Sequence, residues 1–471
     1  MTGWGPLRGA RGLAVGTIAC AAGLCASALS QADTLEGALV LAYVNNPSLN
    51  SQRASVRATD EGVPQALAGY RPKLTLSGSI GSQYWDTTTK SSTTNPTYTQ
   101  LSGNLTPNAY GATVTQTLYN GFQTSNKTRQ AESTVQAARE TLRVAEQTVL
   151  LNAVTAYMNL LRDGAILDLQ RRNVEVLQEQ LRQTRDRFNV GEVTRTDVAQ
   201  SESRLASGRS QVLSAEATYK ASVATYRQVI GVEPGKLAAG SPVDRFSPST
   251  LPQSVSVATA THPAVTTAQY NVDAALQAVK VNEGALYPTL SLQGNVQQSN
   301  ETTLLQTKTF NASAIAQLSV PVYQGGAEYS LIRQAKETLG QRRLDLDTAR
   351  DQARQTVVQS WGQLEAAKAN IEATQAQVQA SEIALNGVRE EARVGQRTTL
   401  DVLNAQQELV NARVALVSAQ RDRVVASFTL LAAVGRLSPQ VLSLRVPVYD
   451  SNVHYQQVRD TWVGVRTPDG R

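Results

Sequence analysis

A chain of 471 residues with 44 Lys and Arg against 38 Asp and Glu carries a formal charge of +6, an excess too mild and too evenly interleaved with acids to make a nucleic-acid surface. Aromatic residues make up only 5%, and Ala, Gln, Val, Leu, Thr and Arg dominate, which suits long helices packed side by side better than a globular enzyme core. The two histidines, His262 and His454, stand far apart without a cysteine or acidic cluster at ligand spacing, so no enzyme activity, metal site or cofactor is expected.

Residues 1–32 read as a secretory signal. Arg8 and Arg11 form its positive start, Leu13 to Leu29 its apolar core, and Ser30-Gln31-Ala32 a small-x-small cleavage site. A mature chain starting at Asp33 has a charge of +4 and loses both cysteines, Cys20 and Cys25, neither of which follows a convincing lipobox. Beyond the signal no apolar run reaches about 18 residues. Any membrane crossing must then be made by strands.

In chain order, residues 35–68 read as a helix and 73–84 and 109–119 as strands, with the Ser/Thr/Asn-rich stretch 86–108 between them as a loop. No proline occurs between Pro107 and Pro234, which leaves room for a very long helix over 122–188, a turn, and a helix over 196–230. Leu160, Leu167, Val174, Leu181 and Phe188 repeat every seven residues, and Val198, Leu205, Val212, Tyr219 and Tyr226 do so after the turn. That spacing predicts coiled-coil-like packing.

The second half repeats the first. At an offset of 204, Tyr119-x-Gly121 falls on Tyr323-x-Gly325, Val190-Gly191 on Val394-Gly395, and Thr194, Asp197, Leu205 and Gly231 on Thr398, Asp401, Leu409 and Gly435. Nearer the N-terminus the offset is 216, pairing Pro47 with Pro263 and Pro72 with Pro288. The first copy therefore has extra residues between Gly78 and Tyr119. The expected layout is a first repeat over 33–253, a second over 254–436 and a tail over 437–471, on the outside of the helices. Helices are expected over 254–284, 326–392 and 399–434. Strands are expected at 289–297 and 310–322, where Leu290, Leu292 and Val296 alternate with Thr289, Ser291, Asn295 and Gln297. One face suits lipid and the other a wet lumen, and Tyr70, Tyr119, Tyr287 and Tyr323 mark the strand–helix junctions as an interfacial aromatic belt would. Four strands cannot close a barrel, so the protomer must oligomerise, two copies giving 8 strands and three giving 12.

The segment Arg187-Phe188-Asn189-Val190-Gly191 through Thr196-Asp197-Val198, its partner Val394-Gly395-Gln396-Arg397-Thr398 through Asp401-Val402-Leu403, and the Tyr-x-Gly junctions resemble TolC-type outer-membrane efflux proteins. The resemblance spans nearly the whole mature chain. It implies a mainly α fold with a small β-barrel portion: a homotrimer with a 12-stranded outer-membrane barrel and a 12-helix periplasmic tunnel in a Gram-negative bacterium. It further implies that Val190, Gly191, Val394 and Gly395 form tips where a periplasmic membrane-fusion adaptor docks, and that an ABC or proton-driven inner-membrane transporter delivers drugs or secreted protein. The residues matching the periplasmic gate and pore are Thr196, Asp197, Arg397 and Asp401. The family's best-studied member has tyrosine in place of Ala392 and a second aspartate in place of Asn404, so one gate bond and one acidic ring are missing here.

Thr194-x-x-Asp197 and Thr398-x-x-Asp401 also fit helix capping boxes, a role compatible with a pore position. His262 takes the place of Asn46 before a repeat proline and reads as a helix-flanking residue. The competing reading of the whole chain is a soluble periplasmic coiled-coil scaffold or adaptor, which would have no need of duplicated strand pairs with a lipid-suited face.

Overall fold

A computed structural model describes residues 34–91, 93–95, 97–303, 307–468 and 470. The expected signal, with Cys20 and Cys25, lies outside them. The region 35–68 forms three helices instead of one: α1 (Leu35–Asn45), α2 (Pro47–Asp60) and α3 (Gly62–Leu67). Pro47 cannot donate to the preceding turn, so a helix restarts at it. Asn46 caps the restart by accepting from the Ser48 and Leu49 amides at 3.0 and 3.2 Å. The second repeat breaks likewise into α6 (Leu251–Thr261) and α7 (Pro263–Gly284). Its cap is His262, whose Nδ1 accepts from the Ala264 amide at 3.1 Å; burial pushes this imidazole below its ordinary pKa.

Strands β1 (Lys73–Ile80), β4 (Asn108–Asn120), β5 (Thr289–Asn300) and β6 (Lys308–Ser319) form one antiparallel sheet in the order β1-β4-β5-β6. Its register lines up the alternating side chains of all four strands. Leu74 faces Val114, Val114 faces Gly294, and Gly294 faces Ala314; in the next row Leu76, Ala112, Val296 and Ala312 align. The other face carries Thr75, Thr113, Asn295 and Ser313, with Ile315 as an apolar exception. A bulge between Thr117 and Tyr119 brings Tyr119 opposite Leu290, on the apolar face. The stretch expected as a loop is largely a second, two-stranded ribbon of β2 (Gln83–Lys90) and β3 (Tyr98–Leu105). Its threonines and tyrosines favour extended backbone, and Gln100 donates to Asp86 across the pair at 3.1 Å.

The two long helices, α4 (Gln123–Asn189) and α8 (Ala327–Arg393), have 67 residues each, roughly 100 Å at 1.5 Å per residue. Beside α4 lie α5 (Arg195–Ile230) along the half remote from the sheet and α7 along the half near it; α8 is flanked in the same way by α9 (Thr399–Ala433) and α7. The end of α5 abuts the α1–α2 break, where the Asn46 side-chain amide donates to the Val229 carbonyl at 3.1 Å, and the end of α9 abuts His262 at the α6–α7 break, so each long helix is matched by shorter ones end to end. Helices α1, α2 and α3 pack on α4. The main core lies part-way along, where Tyr43, Leu150, Tyr157, Tyr226, Phe428 and Leu431 are buried together. It binds the two repeats to each other, and Tyr157 anchors the connecting segment by donating to the Ala238 carbonyl at 2.7 Å. A short helix, α10 (Ser451–Val458), packs against α2.

Sheet and long helix are joined by two consecutive left-handed residues in each repeat: Gly121 and Phe122 in the first, Gly325 and Gly326 in the second. Gly121 (φ +63°) also lies against Gly284, and a Cβ there would come within 2.2 Å of the Gly284 carbonyl oxygen. Gly121→Ala should therefore destabilise the protein by about 2–3 kcal/mol through strain and backbone collision. Thermal unfolding of the purified protein followed by circular dichroism tests this, and an unchanged Tm would contradict it.

Candidate functional site

At the end remote from the sheet, each long helix turns back through five residues. The turns are the same in both repeats. Val190 follows the last residue of α4, Gly191 takes φ +82°, and its amide donates to Phe188 O at 3.0 Å while the Glu192 amide donates to Arg187 O at 2.9 Å. In the second repeat Gly395 has φ +82°, its amide donates to Ala392 O at 3.2 Å, and Gln396 donates to Glu391 O at 2.9 Å. This pair of bonds satisfies the last carbonyls of the helix and requires a left-handed residue, which glycine supplies without a steric cost.

The returning helices start on reciprocal caps. The Asp197 amide donates to Thr194 Oγ1 at 3.3 Å, and Asp197 Oδ2 accepts from the Thr194 amide at 2.9 Å and its hydroxyl at 2.7 Å. Asp401 repeats this with Thr398 at 3.3, 3.0 and 2.9 Å. The Thr194 hydroxyl and then its amide hold the Asp197 carboxyl below the ordinary carboxylate range; for Asp401 the Thr398 amide is the larger cause and the hydroxyl the second. With both helix ends tied in five residues, the apex leaves Val190 and Val394 projecting, 72% and 71% exposed.

Among the sequence-predicted residues, Asp197 and Arg397 line one cleft of about 1040 Å³ between the two hairpin tips, together with Ala392 and Gly395. Thr196 is exposed and Asp401 half-buried, and neither lines that cleft. Arg397 is engaged by Glu391, Nε to Oε2 at 2.8 Å, within its own hairpin. The first repeat has the reversed pair, Arg187 Nε to Glu192 Oε2 at 3.0 Å.

Sequence reasoning missed the links that hold the tips in place. Arg185 meets Glu202 at 2.6 Å across the α4–α5 hairpin, and the equivalent pair, Arg389 and Gln406, meets at 2.9 Å across α8–α9. The offset of 204 carries this signal, because both partners shift together. Between hairpins, Arg204 donates to Asn404 Oδ1 at 2.6 Å, above a small core of Leu177, Leu181, Leu205 and Leu403. A pairing 200 residues apart leaves no local signature. Among the described residues no three or more His, Cys, Asp or Glu side chains gather as a metal site would require, and no helix is long and apolar enough to cross a membrane.

Comparison with known proteins bears on this arrangement. A family model described as "Outer membrane efflux protein" matches residues 38–232 and 255–436. The outer membrane efflux protein BepC of Brucella suis biovar 1 is 42% identical over 440 residues, covering 93% of each chain. The outer membrane protein TolC of Escherichia coli K12 is 27% identical over 88% of this chain and 85% of its own. The solved CmeC outer membrane channel of Campylobacter jejuni superposes with a TM-score of 0.73 at 17% identity, over 90% of this chain and 89% of that one. This last likeness speaks to the fold.

The caps give a direct expectation. Thr398→Ala or Thr194→Ala removes about 1 kcal/mol from the first turn of its helix, so hydrogen exchange of the next three amides should quicken about fivefold. Because both aspartates lie below their ordinary value of 3.8, the stabilisation they lend is complete above that pH and is lost as pH falls through the lower folded values. Exchange corrected for its intrinsic pH dependence should show protection at both tips fading only below pH 3.8. Fading already between neutral pH and pH 5 would contradict the assignment.

Proposed function

We infer the function from a membership that these matches establish: the chain belongs to the outer membrane efflux protein family. It is an outer-membrane exit duct of a Gram-negative bacterium, mainly α-helical with a small β-barrel portion. Its helices stand in the periplasm, and it passes drugs or secreted protein outward from an inner-membrane transporter and its periplasmic adaptor. The family is one of ducts, and no catalytic role is proposed. The observation that carries this reading is an apolar row crossing four paired strands, on the same chain as two 67-residue helices that lead away from the sheet. A soluble scaffold would leave that row and the sheet's open edges without a partner. The curated relatives reported above are outer membrane proteins, so the scaffold reading is not favoured.

Three copies would join β6 of one protomer to β1 of the next. The resulting homotrimer has twelve strands and sets the long helices and their matched short ones in a ring of twelve columns. We assign residues 33–253 and 254–436 to the two repeats and 437–471 to the tail. Val190, Gly191, Val394 and Gly395 are proposed as the apices that meet the adaptor: two projecting valines on rigid turns offer an apolar contact at low conformational cost. Thr196, Asp197, Arg397 and Asp401 are proposed to line or close the tunnel entrance.

Expressed with its signal in a strain lacking its own duct, the protein should be recovered in the outer membrane as a heat-modifiable oligomer and lower drug accumulation. Soluble periplasmic recovery would rule the duct out.

The proposed pore role of Asp401 predicts a weak block by divalent cations, since a single carboxylate ring offers few ligands. Asn404→Asp, one helical turn further on, should strengthen the block modestly, because Arg204 at 2.6 Å from Asn404 offsets part of the new charge. Asp401→Ala should abolish it. Single-channel recordings in which tight block survives Asp401→Ala would sink the pore assignment.

A further inference from the structure

The tail follows a defined path towards the sheet. Asn452 Oδ1 accepts from Arg139 at 2.7 Å, and that guanidinium lies 5.1 Å from the Tyr455 ring centroid. His454 Nδ1 lies 3.0 Å from Asp60 Oδ2, with both residues buried, and Val458 is buried beyond them. Farther on, Arg71 donates to the Thr461 carbonyl at 2.7 Å and places its guanidinium 4.8 Å from the Trp462 ring centroid. Asp60 ends α2, and Arg71 stands two residues before β1. Successive tail residues therefore climb alongside α2 and α3 to the strand–helix junction, where the sheet meets the periplasmic side of the membrane.

At that level the tail leaves the protein. Trp462 is 65% exposed, Val463 88% and Val465 100%, three large apolar side chains within four residues. Such a group left in water is unfavourable, and indole in particular partitions to the head-group zone of a bilayer. The patch continues the junction's aromatic belt, of which Tyr70, Tyr287 and Tyr323 are exposed at the ends of their strands. Arg459, Lys73 and Arg466 are exposed near it and Arg71 is half-buried, while Asp460 is the acid that the described tail sets beside them. This cationic surplus suits lipid phosphates.

We propose that Trp462, Val463 and Val465 form a membrane-interface anchor that seats the tail in the phospholipid head groups of the periplasmic leaflet. The anchor rests on the duct reading, since it needs a bilayer at the level of Arg71. In this arrangement the Arg71–Trp462 contact fixes the indole beside the barrel wall, and the His454–Asp60 contact holds the arm to the helices below. The anchor thus links the helical part of each protomer to the membrane by a route separate from its strands.

The test uses the full mature chain in phospholipid vesicles, with Trp85→Phe and Trp361→Phe leaving Trp462 as the tryptophan downstream of Asp33. Phospholipids brominated near the glycerol should quench Trp462 emission more strongly than those brominated near the chain ends. Val463→Asp combined with Val465→Asp should remove the quenching and shift the emission to the red. Ion conductance of the same vesicles is recorded in parallel. Conducting vesicles with Trp462 unquenched by either lipid overturn the anchor and leave the duct standing; unquenched, blue-shifted emission would place the tail against a neighbouring protomer. A protein that inserts into no vesicle overturns the duct and the anchor together. Should the double Phe variant fold poorly, the difference in quenching between the native chain and Trp462→Phe reads the same quantity.

Discussion

Strands β1 and β6 each have one neighbour in the protomer, so each presents a row of backbone N–H and C=O groups on its free side. Hydrocarbon cannot hydrogen-bond these groups, and each one left unpaired there costs several kcal/mol. The apolar row across the sheet nevertheless requires that setting. Only closure with other copies meets both demands, and closure fixes much else. It requires more than one chain, places the four strand–helix junctions of each chain on one circle, and obliges the helices leaving them to run side by side.

Matched lengths follow from that arrangement. A helix standing alone for roughly 100 Å would expose an apolar stripe along its length, and the heptad of α4 and the seven-spaced Val357, Leu364, Ile371, Val378 and Leu385 of α8 need a partner at every level. The protomer supplies partners by end-to-end pairs, α5 with α2 beside α4 and α9 with α7 beside α8. The break between the partner helices falls near the level of the aromatic core around Tyr157 and Tyr226, whose rings lie 6.4 Å apart. Bulky side chains there fill the gap that two helix ends leave. Leu160, Leu167 and Leu181 of α4 and Val357, Leu364 and Leu385 of α8 are buried in the protomer, while Val174 of α4 and Ile371 and Val378 of α8 are half-buried. Other apolar side chains of α8, Leu344 and Ile383 among them, stay exposed and are the helical counterpart of the open sheet edge.

Much of this was legible in the sequence because it depends on local period and on duplication. The spacing of prolines gave both long helices their 67 residues, displaced by a single position, and the Thr-x-x-Asp pattern gave both caps. The errors have physical sources. A proline inside an apolar-periodic run reads equally as a kink or a restart, and at Pro47 and Pro263 it is a restart, settled by the caps Asn46 and His262. The β2–β3 ribbon has a loop-like composition, and its strand character comes from pairing between its own two arms. Contacts such as Arg204 with Asn404 and His454 with Asp60 join residues 200 and 394 positions apart. Neither partner carries a mark of the other, so only the folded chain reveals them.

The same contrast between local and distant contacts bears on how the tips can change shape. Each apex is locked from within one hairpin: two glycine-dependent bonds end the long helix, a reciprocal cap starts the next, and Arg397–Glu391 or Arg187–Glu192 spans the turn. Asp401 spends Oδ2 on its own cap and, among the described residues, leaves Oδ1 unpaired, so a pore-facing role draws on the second oxygen without loosening the first. Unravelling a turn would sacrifice a cap worth about 1 kcal/mol together with the carbonyl bonds behind it. Displacing a hairpin as a unit disturbs chiefly the Arg204–Asn404 bond and the small leucine core beneath it. The arrangement of bonds therefore favours rigid hairpins that shift against each other over turns that melt, with the Arg204–Asn404 bond and the leucines of α4, α5 and α9 resisting the shift.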